Sequence, residues 1–460
     1  MAATKVAEEL GFIEDDGIEN CLMHQGNKIA EWGIGFLKRS KKKMPYDPFD
    51  ECVSFINRAH STVKYFANST KNKANISELH KKICDDLRLS GIDPEDVLHL
   101  ESFKTIKNGT RIAAPHTMIK SLIRNKILIC MWIETNFETQ SNFLLPDYFI
   151  KDEIDYKILQ EIEAILTVCS FTTTSVQQEK CWSAAYSVVF SRHLLKRLSA
   201  VELDVIMLTK SDGRRISRKV EEFENMSLKV LERCIEETKH RFGDYLLSND
   251  NDRLPYQTLA AVGLDLRTNS GGIDDIPKSF IVKNCWPAVK KVAENFFESQ
   301  WDNENYSAAL GDDNGNQVDT EDDGLDLNIN LSPIVNQKST KKSSFMHDFQ
   351  IAYQKFIRLK IDWKEEFPLR ENWNLRSAID MDLTNMYRKF GEDYSQFHII
   401  PKLAMIYCPK NLSESFAERI FSAGKLLLNN KSNRMKNETF NMRICMRMNK
   451  IFFTWLERIL

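Results

Sequence analysis

Apolar residues at helical spacing constrain the fold of this chain most strongly. The clearest run lies near the C-terminus, where apolar side chains recur at steps of three and four residues: Phe440, Ile444, Met448, Ile451, Trp455 and Ile459. This spacing places them on one face of a helix. That face could be buried within its own domain or against a second copy of the chain, and periodicity alone favours its own domain. Further helices are predicted over 49–72, 155–198 (broken near Thr172), 201–210, 217–247, 256–264, 285–300, 345–364 and 400–407. The chain is therefore predicted to be mainly α.

The predicted helix after Asp155 carries a continuous apolar face. Ile158, Ile162 and Ile165 lie on this face at helical spacing. Glu161 and Glu163 fall outside it, and we expect both carboxylates to be solvated.

Composition limits the broad class of protein. The chain has 460 residues, of which 42% are hydrophobic and 28% charged, so it is long enough for two or more domains. A net charge of −2 means that contact with DNA requires local basic patches. The ten cysteines form no Cys-x-x-Cys pair and no secretory signal is recognisable, which predicts a reduced intracellular protein. No apolar run approaches the roughly 18 residues of a membrane span.

Residues 302–344 differ from the rest of the chain. Nine acidic residues fall between Asp302 and Asp326, among Gly, Asn and Ser. Such a segment cannot bury enough apolar surface to offset its ordering entropy, so we predict a disordered linker. It would separate a helical body, 46–301, from a C-terminal unit, 345–460.

Two basic patches are candidate sites for phosphate contact. The first contains Lys38, Arg39, Lys41, Lys42 and Lys43, and the second contains Arg214, Arg215, Arg218 and Lys219. The first run is also typical of a nuclear localisation signal, which predicts a nuclear protein, with the cytoplasm as the alternative. Both patches could equally be solvated surface.

Cys21 and His24 are the one pair at a metal-ligand spacing. A thiolate and an imidazole can both bind zinc, but a structural zinc site needs four ligands and no second pair has matching spacing. No metal site is therefore predicted, and a half-buried cysteine beside a hydrogen-bonded histidine is the simpler interpretation.

Ser415 and the segment Ala417–Gly424 resemble the C-terminal signature of hAT-family transposases. The matching positions include Glu418, Arg419, Phe421, Ser422 and Gly424. Cys21-x-x-His24 is similar to a motif beside the family's active site. Thr110-Arg111 is similar to its Thr-Arg-Trp segment, in which the Arg-Trp pair contacts DNA; the Trp position here is Ile112.

This resemblance implies a partial RNase H-like α/β domain, formed by residues 1–45 and 345–460, around a large all-helical insertion domain, 46–301. Glu418 would be the last acid of the DDE triad, although a Glu three residues after Ser415 also fits a capping box. In the family, both catalytic aspartates precede the Cys-x-x-His motif, and this sequence begins too late to hold them. We therefore expect no enzyme activity and no cofactor, whereas a full-length relative would need Mg²⁺.

The family's C-terminal region interleaves two subunits. The resemblance thus implies a homodimer, or a heterodimer with related hAT proteins, in which Phe440, Ile444, Met448, Ile451 and Trp455 would form the contact. The alternatives are a DNA-binding protein without cleavage, using Arg111 and the two basic patches, or a fragment of an active transposase.

Overall fold

The computed structural model describes residues 22–36, 49–94, 100–106, 113–139, 142–176, 185–207, 214–247, 254–269, 276–311, 332–359 and 399–408, with the single residues 361, 387 and 397.

Helices make up most of the described chain, which confirms the predicted mainly α fold. In chain order they are α1 (Leu22–Gly33), α2 (Asp50–Asn68), α3 (Thr70–Leu89), α4 (Ala113–Arg124), α5 (Lys126–Thr139), α6 (Glu153–Val176), α7 (Ala185–Leu198), α8 (Asn225–Leu247), α9 (Tyr256–Leu264), α10 (Leu266–Asn269), α11 (Lys278–Phe280), α12 (Trp286–Gly311), α13 (Ser332–Ile357) and α14 (Ile400–Tyr407). A 3₁₀ turn, Val220–Glu222, precedes α8, and a π-helical turn, Ile281–Cys285, joins α11 to α12. None of the described helices has the length and apolar character needed to cross a membrane.

Within the described residues, the sheet is an antiparallel hairpin of β1 (Glu202–Ile206) and β2 (Arg215–Lys219), with Val205 opposite Ile216. The helix predicted over 201–210 is therefore wrong, and the helix predicted over 217–247 begins only at Asn225, after β2 and the 3₁₀ turn. Leu203 and Val205 are buried and alternate with exposed acidic residues, which is the period-two pattern of a strand. The hairpin lies in the middle of the chain. The RNase H-like sheet predicted from the two chain ends stays a prediction.

Helix α6 lies at the centre of the first group of helices. It packs against α1, α4, α7, α8 and β1. Every residue from Leu159 to Leu166 is buried. The expectation that Glu161 and Glu163 are solvated is therefore wrong, because neighbours cover α6 on all sides rather than along one face.

Helix α9 is the centre of a second group. It packs against α7, α12, α14 and the π-helical turn, and its residues from Thr258 onward are buried. Gly263 permits this close packing, since a Cβ there would lie only 2.7 Å from Val289 Cγ2. The ring of Trp286 on α12 stacks 4.8 Å from that of Tyr353 on α13.

Several predicted boundaries differ from the structure. Thr172 lies inside α6, so the break predicted there is wrong. The disorder predicted for 302–344 is also wrong at both flanks, because α12 continues to Gly311 and α13 begins at Ser332. Glu298 bridges these two helices through Lys338 and Lys342, at 2.6 and 2.8 Å.

Candidate functional site

The site with the most elaborate electrostatics lies where the hairpin meets α6. Glu161 and Glu163 are both fully buried, and each pairs with an arginine of β2. Two residues along a helix correspond to a rotation of about 200°, so the two carboxylates leave α6 in nearly opposite directions. The hairpin therefore supplies a separate cation to each of them.

Glu163 is the centre of a compact polar cluster. Its Oε1 accepts hydrogen bonds from the Arg215 guanidinium at 2.6 Å and from the Thr167 hydroxyl at 2.9 Å. His116 Nε2 lies 3.0 Å from the same carboxylate oxygen and 3.0 Å from Thr167 Oγ1. Residues from α4, α6 and β2 thus converge on one atom. Glu163 Oε2 is buried and has no hydrogen-bond partner in the described part of the chain.

The Glu163 cluster stabilises an ionised carboxylate inside the protein. Burial by itself would raise the pKa of Glu163, because a charge loses hydration there. The hydrogen bonds from His116 and Arg215, together with their charges, outweigh burial and hold the pKa below its ordinary value.

Glu161 has weaker partners. Its Oε1 lies 3.3 Å from Arg218 NH1, and its Oε2 accepts the backbone N–H of Glu224 at 3.0 Å. Burial raises the pKa of Glu161, and the Glu224 N–H and the nearby charges of Lys157 and Arg218 offset this only in part. Two neighbouring glutamates therefore have pKa values shifted in opposite directions.

The Glu163 cluster does not have the geometry of a hydrolytic triad. A triad needs one imidazole nitrogen on the nucleophile and the other on the acid. Here the same atom, His116 Nε2, faces both Thr167 and Glu163, and the Thr167 hydroxyl already donates to the carboxylate. The arrangement can hold the hairpin and α4 against α6, but it leaves no activated hydroxyl.

The other described acids are not gathered into a metal site. Among the described residues, no group of three or more His, Cys, Asp or Glu side chains is placed to hold a metal ion. Buried acids are instead paired with arginines: Asp155 with Arg58 at 3.0 Å, and Asp265 with Arg267 at 2.7 Å.

Of the predicted DNA-contacting residues, the structure describes those of the second basic patch. Arg214 is exposed, whereas Arg215 is only 29% exposed and is neutralised by Glu163. The other predicted sites lie outside the described residues, or, for His24, have only their backbone described, within α1: Cys21, His24, Lys38, Arg39, Lys41, Lys42, Lys43, Arg111, Ser415, Glu418, Arg419, Phe421, Ser422, Gly424, Phe440, Ile444, Met448, Ile451 and Trp455.

Sequence reasoning missed the Glu163 cluster because its members are far apart along the chain. His116 lies 47 residues before Glu163, and Arg215 lies 52 residues after it. The local signal was the spacing of Glu163 and Thr167, four residues apart on one helix face. That spacing indicates a polar pair, but it does not indicate burial.

The chain matches neither a protein-family model nor a curated protein.

Proposed function

We propose that this chain is a transposase-derived protein without catalytic activity, which acts by pairing with a second copy of itself through residues 345–460. The resemblance of Ser415 and Ala417–Gly424 to the hAT signature motivates the family assignment. In that resemblance, Glu418 is the counterpart of the last acid of the family's catalytic triad.

The observation that carries the proposal is the exposure of large apolar side chains in this region. Ile351 on α13 is 42% exposed, and Met405 and Ile406 on α14 are 41% and 56% exposed. Helices α13 and α14 pack against each other. Apolar side chains exposed on neighbouring helices are typical of surfaces that a partner covers. The predicted stripe from Phe440 to Trp455 would extend this surface.

Size-exclusion chromatography with light scattering tests the proposal. We expect the purified chain at micromolar concentration to have twice the chain mass, and Met405→Asp with Ile406→Asp to have the mass of a monomer. Val201→Asp is the matched control, since Val201 is 76% exposed directly before β1, outside residues 345–460. A monomeric wild-type protein contradicts the proposal. Ile444→Asp with Trp455→Asp tests the predicted stripe in the same way.

DNA binding without cleavage is the weaker proposal. Arg215 and Arg218, two cations of the second basic patch, are already neutralised by Glu163 and Glu161. Each therefore offers little charge for counterion release at a phosphate. The Lys38–Lys43 run remains the proposed nuclear localisation signal.

A further inference from the structure

A second apolar surface lies far along the chain from the proposed dimer region. Phe137, near the end of α5, is 54% exposed, and Leu144 and Tyr148, in the segment after α5, are 88% and 37% exposed. Large apolar side chains so close in sequence are seldom left together in water without a partner. We call these three residues the α5 surface.

Phe137 and Tyr148 of the α5 surface both contact one aromatic cluster. The Phe137 ring lies 5.1 Å from Phe143, which lies 5.6 Å from Trp132. Trp132 lies 6.3 Å from Phe149, which in turn lies 5.7 Å from Tyr148. Phe137 and Tyr148 therefore lie at the edge of the same aromatic cluster, and Leu144 directly follows Phe143, a member of that cluster.

The backbone beneath the α5 surface is held in place. Thr62 Oγ1 accepts the N–H of Ile150 at 3.1 Å. Arg58 donates to the Phe149 carbonyl at 3.4 Å and to Asp155 at 3.0 Å. A surface fixed in this way loses little conformational entropy when a partner binds.

Within the segment that carries the α5 surface, the charges are of one sign. The 24 residues between Lys126 and Lys151 contain no lysine or arginine, and their three acids are Glu134, Glu138 and Asp147. All three acids are exposed, and none forms an ion pair with a described residue. An apolar patch with an acidic rim complements apolar side chains flanked by cations.

We propose that the α5 surface is a docking site for an amphipathic, basic peptide segment of another protein. Leucine-like side chains of that segment would cover Phe137, Leu144 and Tyr148, and its lysines or arginines would approach Glu134 and Glu138. A second copy of this chain fits poorly, because a two-fold axis would bring two acidic rims together.

Fluorescence anisotropy with a labelled synthetic peptide tests this proposal on the full chain. The probe is a helical peptide of leucine and lysine at heptad spacing, and the controls are a leucine–glutamate peptide and a lysine–serine peptide. We expect only the leucine–lysine peptide to bind, and Leu144→Asp to weaken binding about tenfold or more. Leu89→Asp is the matched control, because Leu89 is also 88% exposed but lies at the end of α3.

Charge reversal supplies a second measurement. Glu134→Lys with Glu138→Lys should weaken binding of the leucine–lysine peptide, and the loss should grow as the salt concentration is lowered. The new lysines repel the lysines of the peptide, and salt screens this repulsion. Equal binding by Leu144→Asp and wild type, equal binding of the lysine–serine peptide, or no binding at about 100 µM protein overturns the proposal. Leu144→Asp should leave the oligomeric mass unchanged. The peptide-docking proposal and the proposed dimer can therefore fail independently.

Discussion

Glu163 and Asp265 are both fully buried carboxylates paired with arginine, but their arginines come from different distances along the chain. Arg215 lies 52 residues from Glu163, and its guanidinium is 29% exposed. Arg267 lies two residues after Asp265, and both side chains are completely buried. The first pair joins the hairpin to α6, and the second closes the turn between α9 and α10.

The Asp265 pair has the tighter geometry. Asp265 Oδ1 accepts from the backbone N–H of Arg267 at 3.0 Å and from its Nε at 2.9 Å, while Oδ2 accepts from NH2 at 2.7 Å. The guanidinium also lies 4.7 Å from the centre of the Tyr186 ring. Burial alone would lower the pKa of Arg267, but the Asp265 charge outweighs it and raises the pKa.

The two pairs differ both in the sequence separation of their partners and in their contact with water. A pair within one turn can form as soon as the turn forms. Because the Asp265–Arg267 pair is fully buried, water cannot hydrate Asp265 when Arg267 is removed. A pair between distant segments forms only after the hairpin docks, yet its arginine keeps part of its hydration. We therefore expect removal of Arg267 to destabilise the protein more than removal of the Glu163 carboxylate.

The largest expected effect is that of Arg267→Met. The substitution leaves Asp265 charged and buried without a cation, which should lower the free energy of unfolding by about 3–5 kcal/mol. Urea denaturation followed by circular dichroism measures this change. Adding Asp265→Asn should recover part of the loss, because the buried charge is then removed. A loss below about 1 kcal/mol for Arg267→Met would show that water reaches this turn.

A smaller loss is expected for Glu163→Gln. The glutamine keeps an acceptor for Thr167 but no longer neutralises Arg215, whose exposed part can turn towards water. We expect the free energy of unfolding to fall by about 2–3 kcal/mol in the same denaturation experiment. Glu221→Gln is the control, because Glu221 forms an exposed pair with Lys219 at 3.5 Å and should change stability by less than about 0.5 kcal/mol. Equal stability of Glu163→Gln and Glu221→Gln would contradict this prediction.

The smallest effect is a pH dependence of opposite sign for the two glutamates of α6. The pKa of Glu163 is lowered in the folded protein, so its stabilisation is present above the ordinary range for glutamate and is lost as pH falls. The pKa of Glu161 is raised, so its protonation favours the folded state as pH falls. Both contributions should be smaller than the loss expected for Glu163→Gln.

Denaturation at several pH values between 7 and about 4 measures both contributions. The stability difference between wild type and Glu163→Gln should shrink as pH falls. The advantage of wild type over Glu161→Gln should grow over the same range. Two differences that move in the same direction would contradict the assignment of opposite pKa shifts.

Local patterns predicted much of the helical framework. Helix α9 has the bounds predicted for it, and α14 coincides with the predicted 400–407 helix. The predicted 49–72 helix is instead two helices, because Ser69 caps α3 by accepting the N–H of Asn72 at 3.2 Å. The hairpin was missed although Asp212-Gly213, a turn signal, lies between two short alternating segments.

The sequence by itself determined where most helices form, because helical spacing and capping act within a few residues of the chain. Only the tertiary structure decided that Glu161 and Glu163 are buried. Their burial depends on α1, α4, α7, α8 and the hairpin, which come from distant segments and together surround α6. The same packing pairs Arg215 with Glu163 instead of leaving Arg215 as a surface cation, because the ion pair forms only once the hairpin has docked on α6.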